Sequence, residues 1–149
     1  MKNIVSGYIN LRPFNGSTLS STFQNIAMRN FCEKRNFIFK ISPTEFIFNN
    51  SYIQLTSLLY SKSISGVVMC SIFMLPQNIE ERKIIYKLAK KNKKRLYFVF
   101  ENISVLKSKD INKIEELLNI RLILKNNLNK LLNKKFLKEL KVQTNWSFC

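Results

Sequence analysis

The sequence predicts an α/β protein: a parallel sheet of about four strands in strand order 2-1-3-4, set between helices in three layers and followed by a long C-terminal helix. Three observations carry this. Short apolar runs, NIVSGYI, NFIFKI, GVVMCSIF and RLYFVFE, alternate with segments whose apolar residues recur at helical spacing. The third run is apolar without alternation, the mark of a strand covered on both faces, as parallel sheets require. Each interval between runs is long enough for a helical crossover, and right-handed crossovers then fix the order.

Taken in turn, NIVSGYI is the first strand, and the turn formers from Leu11 to Ser20 form a loop. Ser21 and Gln24 have capping-box spacing at the start of a helix whose Phe23, Ile26, Ala27 and Phe31 are expected to face the core. NFIFKI is the second strand and SPTEF the loop after it. Ser51 and Gln54 repeat the capping spacing ahead of a second helix, with Tyr52, Leu55, Leu58 and Leu59 as its apolar stripe. GVVMCSIF, the third strand, ends at Leu75 and Pro76. Asn78 and Glu81 suit the cap and first turn of a third helix that ends in Lys, as its dipole favours. RLYFVFE, Arg95 to Glu101, is the fourth strand. Ser108 then caps a final helix with Ile111, Ile114, Leu117, Leu118 and Leu122 on one face, which either continues or breaks near Asn126 and Asn127.

A chain of 149 residues suits one domain, burying roughly 70% of its unfolded surface. The α/β domain is expected over residues 1–124, with 125–149 a basic amphipathic helical tail. No apolar run approaches the roughly 20 residues of a bilayer span, and no signal peptide is read, so the expected location is the cytoplasm. Cys32, Cys70 and Cys149 are odd in number and widely spaced, which suits reduced thiols. Histidine is absent, excluding Ser-His-Asp and Cys-His mechanisms within the chain. No cofactor or metal is expected: Gly7, Gly16 and Gly66 form neither common nucleotide-binding glycine motif, CxxC is missing, and Asp110 is the only Asp. The 25 Lys and Arg against 9 acids, a net +16, invite an anionic partner. A codon bias that also enriches Asn, Ile and Phe competes as the source of that charge.

In an open α/β sheet, ligands bind beyond the strand carboxyl ends where strand order reverses. For order 2-1-3-4 that point lies between the first and third strands, beside GYINLRPFNG and the segment from Ser71 to Pro76. Tyr8, Asn10 and Arg12 stand in the first loop, and Arg12 can offer a bidentate fork to a carboxylate or phosphate. Glu45 and Glu101 follow the second and fourth strands as rim carboxylates. Gln24 and Arg29 lie on the first helix as candidate ligand residues, though a cap and an exposed helix position describe them better. Cys70 reads as a core thiol, and Ser71 has no histidine base. The Lys-rich segments from Glu81 to Arg95 and from Lys125 to Lys141 suit nucleic acid, an anionic membrane or plain solvation.

These residues resemble the sporadic carbohydrate cluster proteins, a family found among surface-polysaccharide and nucleotide-sugar genes. The match runs in order through GYINLRPF, QNIAMRNFC, SPTEF, GVVMCSIFMLP with ERKIIY, FVFEN and SKDINKIEELL, over roughly residues 6–122. Tyr8, Arg12, Gln24, Asn25, Arg29, Cys32, Glu45, Ser71, Leu75, Pro76 and Glu101 are its family-like positions. The resemblance implies surface-carbohydrate biosynthesis and an anionic sugar or nucleotide-sugar ligand near Arg12, Gln24, Ser71 and Glu101; a carboxylate or Tyr8 would then handle any proton. The layout, flavodoxin-like in its strand order, also resembles the N-terminal catalytic domain of serine recombinases (resolvases), with their long dimerising final helix. Their first strand ends in Tyr-x-Arg-x-Ser, the Ser being the nucleophile. Tyr8, Asn10 and Arg12 stand at those places here, and SIFMLPQN lacks the arginine motif that follows their third strand. The expected alternatives are therefore a recombinase-derived nucleic-acid-binding accessory domain without recombinase activity, or a non-catalytic partner dimerising through the final helix.

Overall fold

The computed structural model describes residues 3–13, 16–105 and 107–144; Cys149 lies outside them. The elements are β1 (Ile4–Gly7), α1 (Ser21–Glu33), β2 (Ile38–Lys40), α2 (Ile53–Tyr60), β3 (Gly66–Met69), a 3₁₀ turn (Ile72–Met74), α3 (Ile79–Lys91), β4 (Arg95–Phe98), β5 (Ile103–Val105) and α4 (Ser108–Thr144). They form a five-stranded sheet in the order β2-β1-β3-β4-β5. The first four strands are parallel, so order 2-1-3-4 holds, and β5 adds an antiparallel edge to β4. The expected fourth strand is shorter than Arg95 to Glu101 because the chain reverses over 99–102, where Asn102 takes a left-handed conformation at φ 52°. Right-handed crossovers place α1 on one sheet face and α2 and α3 on the other, where these two pack side by side.

β3 is buried along its whole length. Around it gather Val5, Met28, Phe31, Leu55, Leu59, Ile85, Leu96 and Phe98. On α1 the buried residues are Gln24, Met28, Phe31 and Cys32, whereas Phe23 and Ile26, expected in the core, are 50% and 52% exposed. A polar residue, Gln24, occupies the inward stripe, which rotates the helix away from the purely apolar reading. Gly7 marks a close approach of layers: a Cβ there would lie 2.1 Å from Ser42 Oγ and 2.9 Å from Met28 Cε.

The helix starts differ from the expected capping boxes. Ser20, not Ser21, caps α1 by accepting from the Phe23 amide. The cap residue of α2, Tyr52, supplies no side-chain bond. Asn78 caps α3 as expected, accepting from Glu80 N. Two compact units are present, Met1–Asn112 and Lys113–Cys149. Helix α4 continues through Asn126 and Asn127 without a break, and Leu124, Leu128, Leu131, Leu132 and Phe136 along it are exposed. Among the described residues no helix is long and apolar enough to cross a membrane.

Candidate functional site at the strand carboxyl ends

Beyond their strands, the chains leaving β1 and β2 stay paired for a few more residues. Tyr8 N donates to Val68 O, Ile9 N to Pro43 O, and Glu45 N to Ile9 O, with a bridge between Ile9 and Thr44. This extension brings Tyr8 and Glu45 together inside the protein. The Tyr8 hydroxyl donates to Glu45 Oε2 at 3.2 Å. Burial first, and then the Glu45 charge, raise the Tyr8 pKa far above the phenol range, against an opposing pull from Arg12. The phenol stays protonated near neutral pH and acts as a donor rather than a base.

Glu45 is buried, and both its oxygens are engaged. Oε1 accepts from Phe46 N at 3.0 Å and the Ser51 hydroxyl at 3.1 Å. Oε2 accepts from Gln54 N at 3.0 Å and Leu55 N at 3.3 Å, besides Tyr8. Glu45 therefore supplies the cap that α2 lacks locally, its negative charge lying at the positive end of the helix dipole. Ser51 serves that carboxylate instead of forming the expected capping box.

Gln24 straps α1 to the loop after β1. Its Nε2 donates to Asn10 O at 2.8 Å and to Leu19 O at 2.9 Å, while its Oε1 accepts from Asn10 N at 3.1 Å. Asn10 in turn organises Arg12: Oδ1 accepts from Arg12 N at 3.0 Å and from Arg12 Nε at 3.1 Å. The guanidinium reaches across to Phe48 O through Nη1 at 3.1 Å and lies 4.6 Å from the Tyr52 ring centre. Arg12 Nη2 is buried without a hydrogen-bond partner. Beside these contacts opens a depression of about 530 Å³, lined by Phe48, Asn49, Asn50, Tyr52, Ile53 and Thr56 among others.

Ser71 and Glu101 form a second cluster at the ends of β3 and β4. The Ser71 hydroxyl donates to Glu101 Oε1 at 2.5 Å and accepts from Phe73 N at 3.3 Å; Glu101 Oε2 accepts from Ile72 N at 3.2 Å. The pair thus caps the 3₁₀ turn. Between the clusters, the Cys70 thiol donates to Gln24 O at 3.7 Å, and burial, then the Glu101 charge, push its pKa up to about 12. Burial likewise lifts Cys32 to about 11. Neither buried thiol is poised as a thiolate near neutral pH.

The structure thus brings together Tyr8, Asn10, Arg12, Gln24 and Glu45, and pairs Ser71 with Glu101. Arg29 stands apart, its guanidinium 5.2 Å from the Phe39 ring centre. Sequence reasoning missed three partners. Phe48 and Tyr52 join Arg12, and buried Arg82 draws the loop before α3 onto its Nη1 through Pro76 O at 2.9 Å and Gln77 O at 2.7 Å. Among the described residues no group of three His, Cys, Asp or Glu side chains is placed to hold a metal ion.

No family model matches the chain, and no curated protein matches it. Solved structures do. The N-terminal catalytic domain of TP901-1 integrase superposes with TM-score 0.60 at 15% identity, over 84% of this chain and 98% of that one. A resolvase family site-specific recombinase from Streptococcus pneumoniae gives 0.53 at 14% identity, over 92% and 99%. The C-terminal catalytic domain of ISC1926 TnpA, an IS607-like serine recombinase, gives 0.54 at 12% identity, over 92% and 97%. The fold is therefore that of serine recombinase catalytic domains. None of these similarities supports the resemblance to carbohydrate-cluster proteins or a sugar ligand.

Proposed function

We propose that this chain is a recombinase-derived domain that binds nucleic acid without cleaving it and dimerises through α4. One observation carries the proposal. Within a recombinase fold, the place that the Tyr-x-Arg-x-Ser resemblance gives to the nucleophile is held by Arg12, fastened to Asn10, Phe48 and Tyr52. A guanidinium cannot form the covalent intermediate that a serine hydroxyl forms. Nucleic-acid binding is supported by the +16 charge and by exposed Lys87, Lys90 and Lys91 on α3 and Lys125, Lys130 and Lys134 on α4. Lys94 is excluded from that set because its ammonium donates to Ser61 O and Ile64 O. Dimerisation is supported by exposed Leu124, Leu128 and Leu131, which follow 4-3 spacing along one helical stripe.

Fluorescence anisotropy with duplex DNA tests the reading. Affinity is expected to fall steeply with salt and to drop when Lys87, Lys90 and Lys91 become Glu, while supercoiled plasmid stays uncut. Salt-insensitive binding, no binding at low salt, or plasmid nicking would each overturn it. For the dimer, sedimentation should show two copies, reduced to one by Leu128→Lys.

A second reading is favoured by the partnerless Arg12 Nη2 alone: an anionic sugar or nucleotide-sugar derivative whose oxygen accepts from it. Thermal shifts with sugar phosphates and nucleotide sugars should then be abolished by Arg12→Ala. No shift with any of them removes this reading.

A further inference from the structure

From Ile41 to Ser61 the chain holds one charged side chain, Glu45, and that one is buried. The rest of the segment is conspicuously apolar at the surface. Ile41 is 88% exposed and Phe48 76%, and Phe46, Ile47, Ile53 and Tyr60 are exposed with them. Scattered exposed apolar residues are ordinary; a contiguous set is not. Phe46, Phe48 and Ile53 form such a set. The Phe46 and Phe48 rings stack with centres 6.4 Å apart, and Phe48 and Ile53 line the same 530 Å³ depression. Ile53, Ser57 and Tyr60 then follow one another at i, i+4 and i+7 along the exposed side of α2. Toward the C-terminal end of α2 a second depression, of about 440 Å³, joins Leu58 and Ser61 to Lys40 and Ile41.

This face is bounded at both ends of its sequence by a lysine, Lys40 before Ile41 and Lys62 after Ser61, and both are exposed. An uncharged, surface-apolar segment flanked in sequence by exposed cations, on a chain of net charge +16, complements one kind of surface. We propose that it docks on an anionic lipid bilayer, the Phe46–Phe48 tip and the Ile53–Tyr60 side of α2 entering the headgroup region while Lys40 and Lys62 meet lipid phosphates. Tyr60 suits that depth, with an apolar ring and a polar tip. The inference is independent of the nucleic-acid reading, which uses α3 and α4.

Flotation of the full chain with vesicles tests it, comparing phosphatidylcholine alone with phosphatidylcholine mixed with phosphatidylglycerol. The chain is expected to float with the anionic vesicles only, and less so as salt rises. Ile47→Ser combined with Phe48→Ser should weaken binding by about tenfold or more, from the transfer free energy of two large apolar side chains. The melting temperature should not change, because both residues are exposed. Ile84→Ser in α3, an exposed apolar residue outside this segment, should leave flotation intact. Three results would overturn the proposal: no flotation, flotation lost only with the Ile84 change, or self-association in solution that the Ile47 and Phe48 changes dissolve.

Discussion

Replacing Glu45 by Ala perturbs the fold at one well-defined point. Five donors lose their acceptor: the hydroxyls of Tyr8 and Ser51 and the amides of Phe46, Gln54 and Leu55. Losing a helix cap costs about 1 kcal/mol. Leaving the buried Tyr8 hydroxyl and the first amides of α2 without partners adds roughly 1–3 kcal/mol for each group that water cannot reach. A loss of roughly 3–5 kcal/mol is expected, a large part of the ~5–15 kcal/mol that holds a typical domain. At roughly 2–4 °C per kcal/mol for a chain of this length, the melting temperature should fall by roughly 10 °C. Glu45→Gln keeps one acceptor oxygen but turns an NH₂ toward donors, so about half of the loss should remain. Urea unfolding followed by far-ultraviolet circular dichroism measures both variants, with an unchanged m-value as the check that the same transition is compared. A cost below about 1 kcal/mol for Glu45→Ala, or a Gln variant as stable as the parent, would refute the view that this carboxylate acts as the cap of α2.

Gly7→Ala should destabilise by about 1–3 kcal/mol in the same assay, because its Cβ would lie 2.1 Å from Ser42 Oγ and 2.9 Å from Met28 Cε and Phe39 Cζ. Cys32 and Cys70 should be silent to a thiol reagent near pH 8 in the folded protein and react on unfolding, since their pKa values are raised to about 11 and about 12. Because an unfolded thiol titrates near 9.0, the unfolded chain releases these protons first; stability should be full below pH 9.0 and decline as pH rises toward 12. A double-mutant cycle of Ser71→Ala and Glu101→Gln should give a coupling of about 1–2 kcal/mol, and additive single effects would show that the 2.5 Å contact contributes nothing.

Strand order, helix order and the α3 cap were legible because each rests on local signals: apolar runs, crossover lengths and an Asn two residues ahead of Glu80. The antiparallel β5 was not, because three residues after a left-handed Asn102 carry too little pattern to separate a strand from a loop. Phe23 and Ile26 were misplaced for a related reason: periodicity counts apolar residues, whereas the inward position on α1 belongs to Gln24, whose amide is satisfied by Asn10 and Leu19. Glu45 was visible only as an acid after a strand. That it caps a helix nine residues further on is a tertiary fact, set by the Ile9–Thr44 bridge. Arg12 was placed by topology, yet its partners Phe48 and Tyr52 come from a loop that local spacing cannot connect to it.

The polar groups at the strand ends are for the most part already satisfied by the protein. Both oxygens of Glu45 and both of Glu101 accept from nearby donors, the amide of Gln24 is paired at both ends, and the Tyr8 hydroxyl donates to Glu45. Recruiting any of these for proton transfer or ligand binding would first require breaking a buried hydrogen bond and leaving its partner unmet, a cost that works against catalysis. Arg12 differs, because the buried Nη2 makes no hydrogen bond of good geometry, while Nε and Nη1 hold the guanidinium plane in place beside Tyr52. An oxygen reaching it would gain a charge-assisted bond, at the cost of displacing the Phe48 and Tyr52 groups that cover it. Where the recombinase resemblance puts a reacting hydroxyl, the chain holds a guanidinium fixed by Asn10 and Phe48, which cannot form the covalent intermediate a serine forms.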